Sequence, residues 1–382
     1  MRYELSETQL LLQKSAREFL ASECPMTEVR RIAETPTAHD PQLWKKMAAQ
    51  GWTGMIFSEE FGGMGLGLVE MAVIFEQMGR FLLPGPFHST VTLAGPILEA
   101  TGARTLVETI SQGTALATVA LVEETAELHP AVWQTRATES AQGWRIRGRK
   151  LFVPDAAVAD WVVCAAQREG ELALFLLKSD AGQLADLKSM DLTRRLYAVE
   201  WEDAPAELLA RGQAAHMALE HALNVATVAL VAEMVGGMQW ILESTVSYAK
   251  TRKQFDRPIG QFQAVQHMCA DMLLWTESSR SALYYAAYAL QERLPDAATA
   301  VSVAKVYAAD AYRETGNRGI QIHGGMGFTW ENDLHLYYRR AKACESLLGD
   351  NRHHRERIAR HVLNGSDSAS GSEQKGNGWL SK

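Results

Sequence analysis

Between Tyr248 and Gln263 the chain sets Lys250, Arg252 and Lys253 at the end of an apolar run, followed by Gln254, Phe255 and Asp256 and then by Pro258 and Gly260. Cations suit the negative C-terminal end of a helix dipole. Arginine offers more, because its planar guanidinium stays charged and forks onto paired phosphate oxygens. A second stretch, Gln321 to Trp330, contains Gly324, Gly325 and Gly327, where missing side chains let backbone N–H groups come close to phosphate or ribose. Alone, either pattern is more often a solvated turn or a loop that needs positive φ. Glu233, Glu345 and Asp350 are carboxylates of the helical C-terminal segment. Glu345 and Asp350 are expected to pair with the basic run Arg352–Arg357, and Glu233 to bond within a helix bundle. His353 and His354 are adjacent, so on a helix they point about 100° apart, unlike the i, i+4 pair that binds zinc. They read as a solvated face, and no metal site is expected. Cys24, Cys164, Cys269 and Cys344 show no metal-ligand spacing and read as buried thiols of a reducing, cytoplasmic compartment.

The elements that must position these residues fall into three segments and a tail. Residues 1–113 read as a helical domain. Ser6 and Gln9 form a capping box, Leu12, Ala16, Phe19 and Leu20 make one apolar face, and Pro41 suits a first helical turn. Residues 114–205 change to period two. Trp161–Ala166 and Leu172–Leu177 flank Arg168-Glu169-Gly170 as in a hairpin, within a small antiparallel sheet. Residues 206–364 return to helix: His216–Lys250, Phe262–Arg293, Ala297–Gly316 and Asp333–Leu363 make a four-helix bundle, the first apolar nearly all round. Residues 365–382, rich in Gly and Ser, are expected to be a disordered tail. The fold class is thus α+β, mainly α. A net charge of -7 argues against nucleic acid. The most apolar stretch, Val225–Val235, is interrupted by Glu233 and falls short of the ~20 residues of a membrane span. The N-terminus has no secretory pattern.

Residue by residue, Tyr248–Gln263 resembles the acyl-CoA dehydrogenase pattern Y-x-x-x-R-x-Q-F-G-x-P-I-x-x-F-Q, with Asp256 in place of its glycine. Gln321–Gly327 is similar to the Q-I-x-G-G-x-G of the same family, Arg339-Arg340-Ala341-Lys342 to R-D-A-K with Arg340 for Asp, and Gly148–Asp160 to G-x-K-x-F-V…A-D. Phe61–Gly65 resembles its N-domain loop. The resemblance implies a helical N-domain, a central antiparallel β-domain and a C-terminal four-helix bundle, with FAD as cofactor. It implies that Arg252 meets the FAD pyrophosphate and that Phe255, with Gln254 and Gln263, lies near the nucleotide. It also implies that Gln321, Gly324 and Gly325 reach the adenosine end of a neighbouring subunit's FAD. The activity implied is α,β-desaturation of an acyl-CoA thioester, with electrons passed to an electron-transfer flavoprotein or similar acceptor by a homo- or hetero-tetramer.

The resemblance breaks where the family keeps its base. The two family positions for that carboxylate fall on Leu348 and Ala226, and neither residue takes a proton. The glycine- and serine-bearing loop T-E-P-G-x-G-S-D falls on Leu121–Pro130, where those glycines and that serine are absent. Glu233, two turns from Ala226 on the same face, Glu345 and Asp350 are the displaced candidates. Phe328–Glu331 and Gly349–Arg357 resemble bacterial relatives acting on steroid side chains, heterotetramers in which one subunit type lacks the base and a sister subunit supplies it. The expectation is therefore a base-lacking subunit acting on a CoA thioester with a bulky polycyclic acyl part. A self-sufficient homo-oligomer with a displaced base, or a flavin oxidase or monooxygenase on the same fold, is the alternative.

Overall fold

The computed structural model describes residues 4–370, with side chains as far as residue 363. Helices α1 (Glu7–Glu23), α2 (Met26–Ala33), α3 (Pro41–Ala49) and α4 (Leu68–Arg80) come first, then a π-helical segment His88–Ala94, α5 (Gly95–Ala100) and α6 (Arg104–Ser111). The capping box forms: the Ser6 hydroxyl accepts from Gln9 N at 3.2 Å, and the Gln9 side chain accepts from Ser6 N at 2.9 Å. Asp40 caps α3 through Gln42 N at 2.8 Å, with Pro41 in the first turn, where a missing N–H leaves no helix bond unmade.

Seven strands follow: β1 (Ala117–Ala120), β2 (Arg136–Ser140), β3 (Gly143–Pro154), β4 (Trp161–Arg168), β5 (Glu171–Lys178), β6 (Gln183–Leu187) and β7 (Leu196–Arg211). Their order is β1-β4-β2-β3-β7-β5, with β6 on β7, and β5 pairs back onto β4. This ring encloses a second core of Ile146, Val162, Phe175, Val199 and Trp201. The β4–β5 hairpin turns on Glu169 and Gly170, with φ of 51° and 86°, the left-handed pair that matches strand twist. Two expectations are corrected. The sheet is mixed, because β1 runs parallel to β4 and β2 meets it in parallel at Arg136 and Gln167; the long excursion between β1 and β4 makes the crossover that parallel strands require. The domain also runs to Arg211, not residue 205. Pro205 does not end β7 but marks where it changes partner, from β3 (Trp144 opposite Ala206) to β5 (Leu176 opposite Glu207), a place where a strand tolerates a residue without N–H.

The bundle is α7 (Gly212–Thr251), α8 (Gln263–Gln291), α9 (Ala297–His323), α10 (Leu334–Ser346) and α11 (Asn351–Ser370). Every residue of α7 from Asn224 to Met238 is buried. The helix is long and apolar enough to cross a membrane, but 89% of its most apolar stretch is covered by protein, as in a core helix. It touches α4 backbone to backbone. A Cβ added at Gly236 would lie 1.8 Å from Glu76 O, and one added at Gly79 would lie 2.1 Å from Glu233 O. Gly236→Ala is expected to lower stability by roughly 1–3 kcal/mol or more through overpacking, read as a fall in the thermal midpoint. The expected fourth helix is two. Leu348 and Gly349, with φ of 58° and 99°, break it after α10. Of the expected tail, residues 365–370 instead continue α11, since extending a formed helix adds one bond per residue fixed; residues 371–382 lie outside the described residues.

Candidate cofactor site and active site

The two phosphate-suited motifs meet at one end of the bundle. Arg252 ends α7: its N–H donates to Tyr248 O at 2.8 Å, and its carbonyl accepts from Ile259 N at 2.8 Å. The chain then folds into a minimal hairpin, Lys253–Gln254 against Arg257–Pro258, with Phe255 and Asp256 at its tip. Their φ values, 52° and 63°, explain how Asp256 stands where the family has glycine, because aspartate tolerates the left-handed region better than most residues. The Phe255 ring is 86% exposed, and Gln254 and Gln263 are exposed beside it. Across the end of the bundle, Gly324 terminates α9 with φ 60°. Cβ atoms added at Gly324 and Gly325 would meet nothing within 4 Å. Tyr248 and His323 stack at 4.3 Å, so the two motifs share a wall. Gln321, Met326, Phe328 and Trp330 are exposed around them. Among the described residues no carboxylate oxygen lies within 4.0 Å of the Arg252 guanidinium.

The loop Leu121–Pro130 is not a backbone cradle. Its Glu123 turns inward, accepting from Lys150 Nζ at 2.8 Å and from Thr135 N at 3.0 Å, while Lys150 also donates to Leu121 O at 2.9 Å. Burial opposes charge on Glu123, but the Lys150 bond and the two backbone N–H groups bring it below the usual carboxylate range. Next to it Phe152, at φ 54° and 47% exposed, occupies the bulge between Lys150 and Val153. In the sequence it is the phenylalanine of the G-x-K-x-F-V resemblance, and left-handed backbone at a bulky residue is strain of the kind that clusters at functional sites.

The base positions are as unreactive in space as in sequence. Ala226 is fully buried, and its carbonyl accepts a hydrogen bond from His88 Nε2 at 2.9 Å. His88, in the π-helical segment, is pushed down to about 4 chiefly by burial, so it is a neutral imidazole. None of the displaced candidates is free. Glu233 is 5% exposed, with its carboxylate held by Arg194 and 3.8 Å from Arg340 Nη1. Burial would raise it, but Arg194 and then Arg340 pull it below its ordinary value, the opposite of what a base needs. Glu345 pairs with Arg313 at 3.1 Å and Lys342 at 3.4 Å, rather than with the basic run as expected. Asp350 accepts from His353 N at 2.8 Å at the start of α11. The pair His353-His354 is also corrected: His354 is wholly buried, with both ring nitrogens bonded.

What sequence reading misses is the junction of the three domains. Arg340 of α10, in place of the family aspartate, donates to Asp191 and Thr193 of the β6–β7 loop and to Leu83 O at 3.3 Å. Arg194 of the same loop reaches Glu233 of α7. Asp155, at the end of β3, accepts from the Ser89 hydroxyl at 2.6 Å. Burial pushes Asp155 up to about 6. Its folded pKa lies above the unfolded one, so the proton favours the fold, and stability falls as pH rises from about 4 to 6. Asp155→Asn removes that slope. The gap in thermal midpoint between variant and parent should open in the variant's favour across this range and stay constant above it; a gap independent of pH would contradict the assignment.

Comparison with known proteins agrees with this geometry. Residues 6–110 match the family model "Acyl-CoA dehydrogenase, N-terminal domain", and residues 215–363 match "Acyl-CoA dehydrogenase, C-terminal domain". The chain is 29% identical to acyl-CoA dehydrogenase IpdE2 of Mycolicibacterium smegmatis over 360 residues, covering 94% of this chain and 100% of that protein. Among solved structures it is similar to a variant of the Tcur3481-Tcur3483 steroid acyl-CoA dehydrogenase, with a TM-score of 0.85 and 29% identity over 94% of this chain and 99% of that one. It is also similar to the ChsE4-ChsE5 complex from Mycobacterium tuberculosis, with a TM-score of 0.86 and 26% identity over 95% and 99%. The chain belongs to the acyl-CoA dehydrogenase family of FAD-dependent oxidoreductases.

Proposed function

We propose that this chain is the base-lacking subunit of a hetero-oligomeric acyl-CoA dehydrogenase, binding FAD and completing a site whose catalytic carboxylate belongs to a sister chain. One observation carries the reading: Ala226 and Leu348 occupy the base positions, while Glu233 and Glu345 are held in ion pairs with arginine and lysine. The residues at the bundle end fit FAD. An exposed guanidinium with no carboxylate opposite suits a pyrophosphate, and Gly324 and Gly325 leave an open cradle that a side chain would fill. Arg252 would hold the pyrophosphate, Phe255 would cover the nucleotide with Gln254 and Gln263 beside it, and Gln321 with Gly324 and Gly325 would grip the adenosine end of a neighbour's cofactor.

When bound, FAD supplies the hydride acceptor for α,β-desaturation of an acyl-CoA thioester. This chain's residues orient and enclose. Phe152 walls the β-domain side, the Glu123–Lys150 pair fixes the loop beside it, and His88 and Ala226 close the bundle side without offering a base. A polycyclic acyl group is supported by the word "steroid" in the name of the Tcur3481-Tcur3483 homologue, and a two-chain assembly by the ChsE4-ChsE5 complex. Electrons would leave to an electron-transfer flavoprotein or similar acceptor. Four free cysteines, three of them buried, support a cytoplasmic setting. The test is turnover on a panel of CoA thioesters, with the purified chain alone and after co-expression with a relative that has a carboxylate at one of the two base positions. Negligible turnover alone and restored turnover together are expected; full turnover by the homo-oligomer would reject the reading.

A further inference from the structure

The turn between α10 and α11 is held by groups that the reaction above leaves unused. Leu348 sits in the left-handed region, where Cβ crowds the following carbonyl and a leucine is disfavoured. Such a conformation persists only when its surroundings over-determine it. Lys305, wholly buried in α9, donates its ammonium to Glu345 O at 3.2 Å and Gly349 O at 3.1 Å. His354, wholly buried in α11, bonds Leu348 O through Nε2 at 3.1 Å and Ser302 Oγ through Nδ1 at 3.3 Å. A carbonyl only accepts, so Nε2 carries the proton and Nδ1 accepts from the serine hydroxyl. The tautomer is therefore fixed, and burial, reinforced by Lys305 nearby, pushes the ring down to about 3, which keeps it neutral. Two buried polar side chains thus satisfy the carbonyls of Glu345, Leu348 and Gly349, where a simple helix end needs only a glycine cap.

We propose that Lys305 and His354 are positioning residues that lock the Glu345–Gly349 turn, so that residue 348 is presented from one fixed left-handed backbone whatever its side chain. The inference rests on the functional reading above, in which position 348 is one of the family's two base positions. The frame that would aim a carboxylate persists here around a leucine, whose side chain packs against the main core.

Three substitutions in the full-length oligomer test this. Lys305→Met keeps the stem and removes the donors, His354→Phe keeps the ring shape, and His354→Gln keeps an N–H donor. Hydrogen exchange of the amides at 346–350 should speed up about tenfold in the first two and stay near the parent rate in His354→Gln, because a lost bond from a charged donor, or a buried carbonyl left unmet, is worth about that ratio. Exchange in α4 reports that each variant is folded. Unchanged exchange at the turn, or a glutamine variant as fast as phenylalanine, overturns the proposal. A second arm places each change on a Leu348→Glu background and measures single-turnover flavin reduction by CoA thioesters. Leu348→Glu alone should reduce flavin, and adding Lys305→Met or His354→Phe should slow that step by about a hundredfold with little change in thioester affinity, as expected when a reacting group is misplaced. Equal rates in all backgrounds, or no reduction by Leu348→Glu itself, overturn it. Colourless protein would instead defeat the functional reading, and the exchange arm would still decide the clamp.

Discussion

Arg340→Met should destabilise the protein by roughly 3–5 kcal/mol, the range for removing one partner of a buried ion pair. Arg340 is 2% exposed and supplies the donors that face Asp191, itself 2% exposed, and it lies near Glu233. Without the guanidinium, Asp191 stays buried with only the Thr193 hydroxyl and N–H to meet it. Asp191 is now held below its ordinary value against the opposing effect of burial, mainly by Arg340 and then Arg194. The loss should therefore appear as reduced denaturant resistance at neutral pH and shrink in acid, where the carboxylate is protonated. Pairing Arg340→Met with Asp191→Asn should recover much of the loss, because it replaces both ends of the bond. Arg352→Ala, by contrast, removes an exposed i, i+4 pair with Glu356 and should be close to neutral. Equal effects of the two arginine changes would show that the three-domain junction is not held by this network.

The second large effect is on flavin. Arg252→Ala should weaken FAD binding by roughly a hundredfold, since a hydrogen-bonded charge pair is worth about 1.5–3 kcal/mol and the guanidinium makes a forked contact. Arg252→Lys should recover only part of this, because an ammonium keeps the charge and loses the fork. Flavin absorbance per chain after gel filtration, together with titration of added FAD, measures both. Arg252 caps α7 with its backbone and has no side-chain ion pair among the described residues, so the variant should fold normally. Retention of parental flavin content by Arg252→Ala would remove this residue from the site.

What can be read from sequence is local. The Ser6 capping box, the Glu169-Gly170 turn and the end of the long helix at the basic turn before Pro258 each lie within one stretch of chain whose residues set their own backbone, and all three form, the last with a small hairpin that the sequence does not announce. The glycines at 324 and 325 are legible for the same reason. The junction is not. Arg340 shows in the sequence only as a departure from R-D-A-K, and its partners Asp191 and Thr193 reach it across nearly 150 positions. Pro205 looks like a strand end because period alone does not show a strand changing partners. The bundle's fourth helix looks continuous because Leu348 carries no sign of positive φ; its conformation is imposed by Lys305 and His354 from two other helices. His354 misleads for a related reason. Its neighbours in sequence are charged, but its neighbours in space are Ser302 and the Leu348 carbonyl.

The most direct test of the account measures flavin content and thioester-dependent reduction in one preparation, first with the chain alone and then with a co-purified sister subunit carrying the missing carboxylate. The account predicts bound FAD and negligible reduction in the first case, and reduction at enzymatic rates in the second. A homo-oligomer that desaturates acyl-CoA by itself would contradict it, and loss of that turnover in Glu233→Gln or Glu345→Gln would identify the chain's own base.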